Sequence, residues 1–193
     1  MSVPFRVGFV TGATPDRWAR TWRERSSVPL ELVPVEQDGQ ESGVRDGSLD
    51  MCLVRLPIER DGLHCIPLYD EQQVVVVGKD HVVTAADEVS LAELDDEQLV
   101  LPHVSGWTPT VDQLAWPAMS PKEAIEVVAS GTGIALLPMS VARLHHRKDV
   151  THRPVHDLDP STVGLAWLRD NEDPWVQTFI GIVRGRTVRS SRG

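Results

Sequence analysis

The chain has 193 residues, 41% of them hydrophobic and 24% charged, which is ordinary for a soluble globular protein and enough for one full core or two small lobes. Its formal net charge is −9, and the last ten residues, RGRTVRSSRG, hold four arginines and no acid, so the rest of the chain is more acidic still. An acidic body repels a phosphate backbone, no apolar run approaches a membrane span, and the start lacks the three regions of a signal peptide. Sequence-specific DNA binding and membrane insertion are thereby excluded, and a cytoplasmic protein is expected.

In chain order, Phe5 to Val10 predicts a strand. Thr14 is placed to cap a helix with Pro15 at its first position, and Trp18 and Trp22, four apart, share one face of it. Leu30 to Val35 is a second strand; the glycine-bearing GQESGVRDG that follows is poorly helical. Leu49 to Leu56 reads as a buried third strand, ending at Pro57. Strands separated by helices imply right-handed crossovers and a mostly parallel sheet. Leu63 to Tyr69 and Gln73 to Gly78 are two further strands. SLAEL then makes a short helix, QLVLP a strand, and LAWPAM another short strand after the irregular HVSGWTPTVDQ.

The stretch PKEAIEVVASGTGIALLP contains a G-x-G pair, but the order of elements is reversed from that of a dinucleotide site, which needs strand, glycine turn, then helix. Here Ser120, Pro121 and Glu123 start a helix with a capping box, and Gly131 stops it. Strand IALLP follows the glycines, so no cofactor is expected. A helix from Met139 to His145, a last strand from Val163 to Leu168 and a closing helix from Pro174 to about Val183 complete the chain. Cys52 and Cys65 lie in apolar surroundings, as buried free thiols do.

Six segments, FRVGFVTGATP, LELVPVE, RDGSLDMCLVRLP, GLHCIPLYDEQQVVVVGKDH, SLAELDDEQLVLP and EAIEVVASGTGIALLPMSVARL, resemble in order and spacing the effector-binding domain of LysR-type transcriptional regulators. DGSLDMCLVRLP and VASGTGIALLP are the most specific of them. The resemblance implies an α/β fold of two Rossmann-like lobes joined by two crossover strands, like a type 2 periplasmic binding protein, with a small effector held in the cleft. Residues 1–73 with 163–183 would form the first lobe, 74–162 the second, and 184–193 a disordered basic tail. The sequence departs from the family in lacking the winged helix-turn-helix before the first strand, in a shorter second helix carrying Gly39 and Gly43, and in a shortened stretch between VLP and LAWP.

Candidate ligand contacts follow. Thr11, Gly12, Ala13 and Thr14 stand where the first strand becomes a helix, on the carboxyl side of a parallel strand where open α/β sheets bind ligands. Asp38, Gly39 and Gln40 follow the second strand at the same edge. Arg55, past the third strand's apolar centre, could balance a carboxylate with its planar fork of donors or be a solvated strand end. From the second lobe the resemblance adds Pro102, His103, Val104 and Ser105. Trp107 and Trp116 either wall the pocket or stabilise the shortened lobe. No metal is expected: His152 and His156 are interrupted by Pro154, and the adjacent His145 and His146 do not readily aim at one ion. No nucleophile with a base at a recognisable spacing points to an enzyme.

The resemblance therefore favours a stand-alone effector-binding domain that senses a small molecule, an organic acid or aromatic compound, and regulates transcription without its own DNA reader. The alternatives are an enzyme on the same scaffold and an interaction protein that pairs with full-length regulators. A homodimer is expected through the first helix, whose two Trp are ringed by Arg17, Arg20, Arg23 and Arg25, unless both Trp lie in this lobe's own core; in the family this helix meets the second lobe of another subunit.

Overall fold

A computed structural model describes residues 3–185. The expected basic tail lies outside the described residues from position 186 onward. The chain divides into two compact units, one built from the residues up to Tyr69 and those from Thr162, the other from Asp70–Ser161. It passes between them twice, within β4 (Leu63–Glu71) and at the start of β8 (Ser161–Leu168).

The first unit holds a five-stranded sheet in the order β2-β1-β3-β8-β4, with β1 at Phe5–Val10, β2 at Leu30–Val35 and β3 at Met51–Arg55. β1 runs parallel to both β2 and β3, whereas β8 is antiparallel to β3 and sets Cys52 against Ala166. The two faces of β3 follow the period of two. Met51 and Leu53 join the core under α1 (Asp16–Arg25) and α5 (Pro174–Val183), while Cys52 and Val54 pack with Val44 of the short α2 (Ser42–Arg45). On that second face the packing is tight: a Cβ at Gly8 would stand 2.7 Å from Leu49 Cδ1 and 2.9 Å from Cys52 Sγ.

Both tryptophans of α1 are buried in their own unit. Trp22 stacks on Phe5 with ring centroids 4.9 Å apart, meets Trp175 edge-on at 5.7 Å, and donates from Nε1 to Val28 O at 2.8 Å. The aromatic face of α1 thus belongs to the core, so of the two readings of Trp18 and Trp22 the core one holds and the partner contact is corrected. The helix also starts later than expected. Pro15 occupies the N-cap position, its carbonyl accepting from Trp18 N and Ala19 N, and the Thr14 side chain caps nothing.

In the second unit, β5 (Gln73–Gly78) is flanked by β6 (Ala135–Pro138) and β7 (Val150–Pro154), both antiparallel to it. Parallel pairing in this unit is limited, among the described residues, to two isolated bridges, Val89 with Val155 and Leu99 with Ile134, and the mostly parallel order expected of the first half is seen in β2-β1-β3. The VVVV run is buried on both faces. Val74 and Val76 pack with α3 (Pro121–Ala129) and α4 (Met139–Leu144), and Val75 and Val77 pack with Leu94, Leu99 and Ile134. α3 begins as its sequence dictates, with Ser120 and Glu123 in a capping box and Pro121 at the first position, and Gly131 follows it at φ +86°.

Four details differ from expectation. SLAEL forms a 3₁₀ turn at Leu91–Leu94, QLVLP is reduced to the Leu99 bridge, LAWPAM forms no strand, and β7 is a strand that VTHRP did not announce. Among the described residues, no helix is long and apolar enough to cross a membrane.

Candidate functional site

In the first unit the structure brings together three of the expected positions. Gln40 is 6% exposed and Arg55 2%. The Gln40 carboxamide closes a two-bond ring on the Arg55 backbone, Nε2 donating to Arg55 O at 2.8 Å and Oε1 accepting from Arg55 N at 2.7 Å. Arg55 in turn donates from Nη2 to Thr11 O at 3.1 Å. This chain of contacts ties the ends of β1 and β3 to the turn after β2. Arg55 is therefore not a solvated strand end, and both ends of the buried Gln40 carboxamide are engaged with the Arg55 backbone.

The turn itself presents small and hydroxyl-bearing groups. Gly12 adopts φ +89° and Gly39 φ +72°, conformations that a Cβ would strain. Ala13 is buried and donates its amide to Val10 O at 3.0 Å, Gly39 lies exposed on its turn, and Asp38 is exposed beside it. The hydroxyls of Thr11 and Thr14 have no hydrogen-bond partner among the described residues, and Thr14 is exposed. The exposed Thr14 hydroxyl, two residues before α1 begins at Asp16, suits a polar or anionic ligand group.

Thr14 also borders a hollow of about 510 Å³ that lies wholly within the first unit, with Arg17, Trp18, Leu68, Tyr69 and Arg184 in its wall. The sequence reading assigned none of Tyr69, Leu68 and Arg184 to a site, because they come from β4 and the end of α5 and only the fold brings them to α1. The Trp18 Nε1 is buried and has no partner among the described residues. Leaving such a donor unpaired costs on the order of 1–3 kcal/mol.

In the second unit, Pro102, His103 and Ser105 lie on an irregular turn. His103 Nδ1 is 2.8 Å from Ser105 Oγ and accepts from Ser105 N at 3.2 Å, while Ser105 Oγ accepts from Trp107 N at 3.2 Å. An N–H pointing at Nδ1 places the ring proton on Nε2. Val104 is exposed, as are Pro102 and Ser105. Trp107 and Trp116 pack on opposite faces of the β5 sheet, so both stabilise this unit.

Burial holds the His103 imidazole below its ordinary value of 6.5. Burial, then Lys122, does the same for His145; burial, then Arg143, Arg153 and His146, for His152. The folded chain therefore binds these protons less readily than the unfolded chain. Their contribution to stability is complete above the ordinary value and is lost as pH falls below it, until the folded groups also titrate. The melting temperature is expected to drop as pH is lowered from 7 toward 5, about, and to drop less in His103→Gln; scanning fluorimetry across that range checks both. Burial pushes the Cys52 thiol up to about 12 and raises Cys65, which is half-buried rather than buried, so both free thiols are held protonated. Among the described residues no group of three or more His, Cys, Asp or Glu is placed to hold a metal.

Two α/β units joined by two crossover strands, with a helix-start corner at the strand ends of the first, define a ligand-binding domain of the type 2 periplasmic-binding-protein kind. The chain belongs to the family described as the LysR substrate binding domain, whose model matches residues 5–187. Among its relatives, the HTH-type transcriptional regulator AlsR of Bacillus subtilis (strain 168) is 24% identical over 95% of this chain and 67% of its own length. The Hca operon transcriptional activator HcaR of Escherichia coli (strain K12) is 29% identical over 81% of this chain and 57% of its own. The fold matches the effector binding domain of a BenM variant, with TM-score 0.79, 22% identity and coverage of 95% of this chain and 94% of that one. It also matches the reduced OxyR regulatory domain of Pseudomonas aeruginosa, with TM-score 0.73, 23% identity and coverage of 94% and 96%. This chain is thus a domain of the kind found in transcriptional regulators, and it spans 57–67% of the length of those two curated relatives.

Proposed function

We propose that the protein is an effector sensor that regulates transcription from the cytoplasm, binding a small organic acid or aromatic compound without converting it and without a metal or cofactor. The observation that carries this is the Thr11–Thr14 corner between β1 and α1: two unpartnered hydroxyls among the described residues, with the Thr11 carbonyl held by the buried Arg55 and Arg55 by Gln40. A BenM domain has been solved with its effector benzoate, and that class of ligand fits the corner's polarity. Pro102, His103 and Ser105 are the contacts we assign to the second unit, with the neutral His103 as a hydrogen-bonding group. The direct test is a thermal-shift screen against organic and aromatic acids, followed by calorimetry of any stabilising compound. Thr14→Val is expected to weaken that compound by about 1–2 kcal/mol without lowering the melting temperature of the free protein. Unchanged affinity moves the site away from this corner.

The regulatory reading requires a route to DNA, and an acidic domain of this fold is expected to reach it through a partner. We assign that contact to the exposed arginine face of α1, at Arg17, Arg20 and Arg23, now that the tryptophans are accounted for by the core. Charge complementarity with an acidic second copy, or with a full-length LysR-type regulator, supports it. Light scattering is expected to report a homodimer, and Arg20→Glu to shift it toward monomer with helical content unchanged; a monomer at every accessible concentration overturns the pairing.

A further inference from the structure

The second unit separates its charges by face. One side of β5 is covered by α3 and α4, the other by the 3₁₀ turns at Val82–Ala85 and Leu91–Leu94. From 80 to 97, around those turns, the sequence has seven acids and no Lys or Arg; from 143 to 153 it has four Arg or Lys, three His and one acid. The register of β7 divides that basic stretch. His152 stands opposite Val76 and so on the α3–α4 side, while Arg153, opposite Val75, turns to the 3₁₀ side and donates to the carbonyls of Ala86 and Thr84 at 2.6 and 2.7 Å.

The α3–α4 side holds cations with nothing to bind. Arg147 is held by Asp149 through two bonds of 2.9 Å and lies toward the exposed Glu126, and Glu123 is engaged by the Ser120 cap. Lys122, Arg143 and Lys148 are exposed and form no ion pair among the described residues. Lys122 stands in the first turn of α3, where the helix dipole disfavours a cation. After burial, Lys122 is what opposes protonation of His145, and Arg143, Arg153 and His146 oppose that of His152, so positive charge here is crowded and not neutralised. Amid these groups stands Leu144, 60% exposed.

The 3₁₀ side is the complement. Asp87, Glu88 and Asp96 are exposed and form no ion pair among the described residues, whereas Glu93 accepts from Ser90 in its capping box and Glu97 pairs with His81 at 3.0 Å. That last pair sets the acids at 95–97 beside the turn that carries Val82, 79% exposed. Each side thus presents one exposed aliphatic residue among charges of a single sign. With the sheet between them, the two sides of one chain cannot meet each other.

We propose that the α3–α4 side of the second unit docks on the 3₁₀ side of another copy of this chain, its free cations facing the free acids there and Leu144 covering Val82. Unlike surfaces meet, so the contact is head-to-tail, separate from the α1 contact, and leaves one complementary side open at each end. It rests on exposed charges and is therefore sensitive to salt. A phosphate polyanion matches this surface less well, because it would leave Leu144 uncovered.

The test is sedimentation velocity of the full chain carrying Arg20→Glu, which takes the α1 contact out of the measurement. At about 50 mM salt the average mass is expected to rise above that of a monomer with concentration, and to fall back at about 300 mM. Arg143→Glu with Lys148→Glu, and separately Asp87→Lys with Glu88→Lys, are each expected to weaken association at least about tenfold. Mixing the two variants should restore it, because the unchanged acidic side of the first meets the unchanged basic side of the second. Circular dichroism checks that each variant is folded; where a double change is not, Lys148→Glu or Glu88→Lys alone replaces it, with the same direction expected. A monomer at every concentration in low salt, a mass indifferent to both charge reversals, or a mixture no heavier than its parts overturns the proposal. A chain that stays monomeric yet binds duplex DNA through Arg143 and Lys148 overturns it in favour of a phosphate polyanion.

Discussion

Replacing Trp22 by alanine is expected to cost about 3–5 kcal/mol, the largest effect of any single truncation in the first unit. The side chain is fully buried, stacks on Phe5 at 4.9 Å, and touches both Trp175 and Phe179. Truncation removes those contacts, leaves a cavity between α1, α5 and β1, and strips Val28 O of its indole donor. Trp22→Phe keeps much of the ring contact but loses the donor, and should cost less than half as much. Urea unfolding followed by far-ultraviolet circular dichroism measures both. A Trp22→Ala loss below about 1.5 kcal/mol would mean that the core collapses around the site.

The second large effect is at Gln40. Leucine there keeps the volume but leaves the buried N–H and C=O of Arg55 without the carboxamide that serves both, at about 1–3 kcal/mol for each group. A total of about 2–6 kcal/mol is expected from the sum of the two. Gln40→Glu separates them, since a carboxylate still accepts from Arg55 N but cannot donate to Arg55 O. The ligand consequence runs through Arg55: if its backbone shifts, its hold on Thr11 O loosens and effector affinity falls in Gln40→Leu even under conditions where the protein is fully folded. Affinity equal to that of the parent would show that the corner does not depend on this network.

The elements most legible in the sequence are those whose local chemistry and tertiary packing agree. α3 has a capping box, a proline at its first position and a terminating glycine; α5 has Asp173 at its N-cap accepting from Trp175 N, Pro174 at its first position and an apolar face; β5 is a run of β-branched residues. Each of these forms where its pattern puts it. Elements created by tertiary pairing were less visible. VTHRP has no alternation to mark it, yet it pairs along the whole of β5 because that strand has an open edge. LAWPAM has apolar residues, but Leu114, Ala115, Pro117 and Ala118 are exposed, and Pro117 lacks the amide that a ladder needs.

At the candidate corner the sequence made positions more legible than side-chain directions. Thr11, Gln40 and Arg55 are correctly gathered at one edge by strand order, since each follows a strand of the same sheet. Whether a side chain there turns in or out depends on the turn. Gln40 turns in because its amide geometry matches the end of β3, and periodicity carries no signal for that. The α1 hollow was hidden for a different reason: Thr14, Tyr69 and Arg184 are far apart in sequence, and no motif links them.

The insertion of one unit within the other also sets an order of assembly on the ribosome. Asp70–Ser161 is continuous, so every strand of its sheet has been synthesised before β8 is made. The first unit cannot close until much later. β3 finds its antiparallel neighbour only when Ala166 has emerged to meet Cys52, and Phe5 and Trp22 wait longer still for Phe179. Until then β3 exposes an unpaired edge, and the α1 aromatics lack half their cover. The nascent chain is thus most vulnerable to misassociation through β3 and α1, for as long as the intervening unit takes to be made.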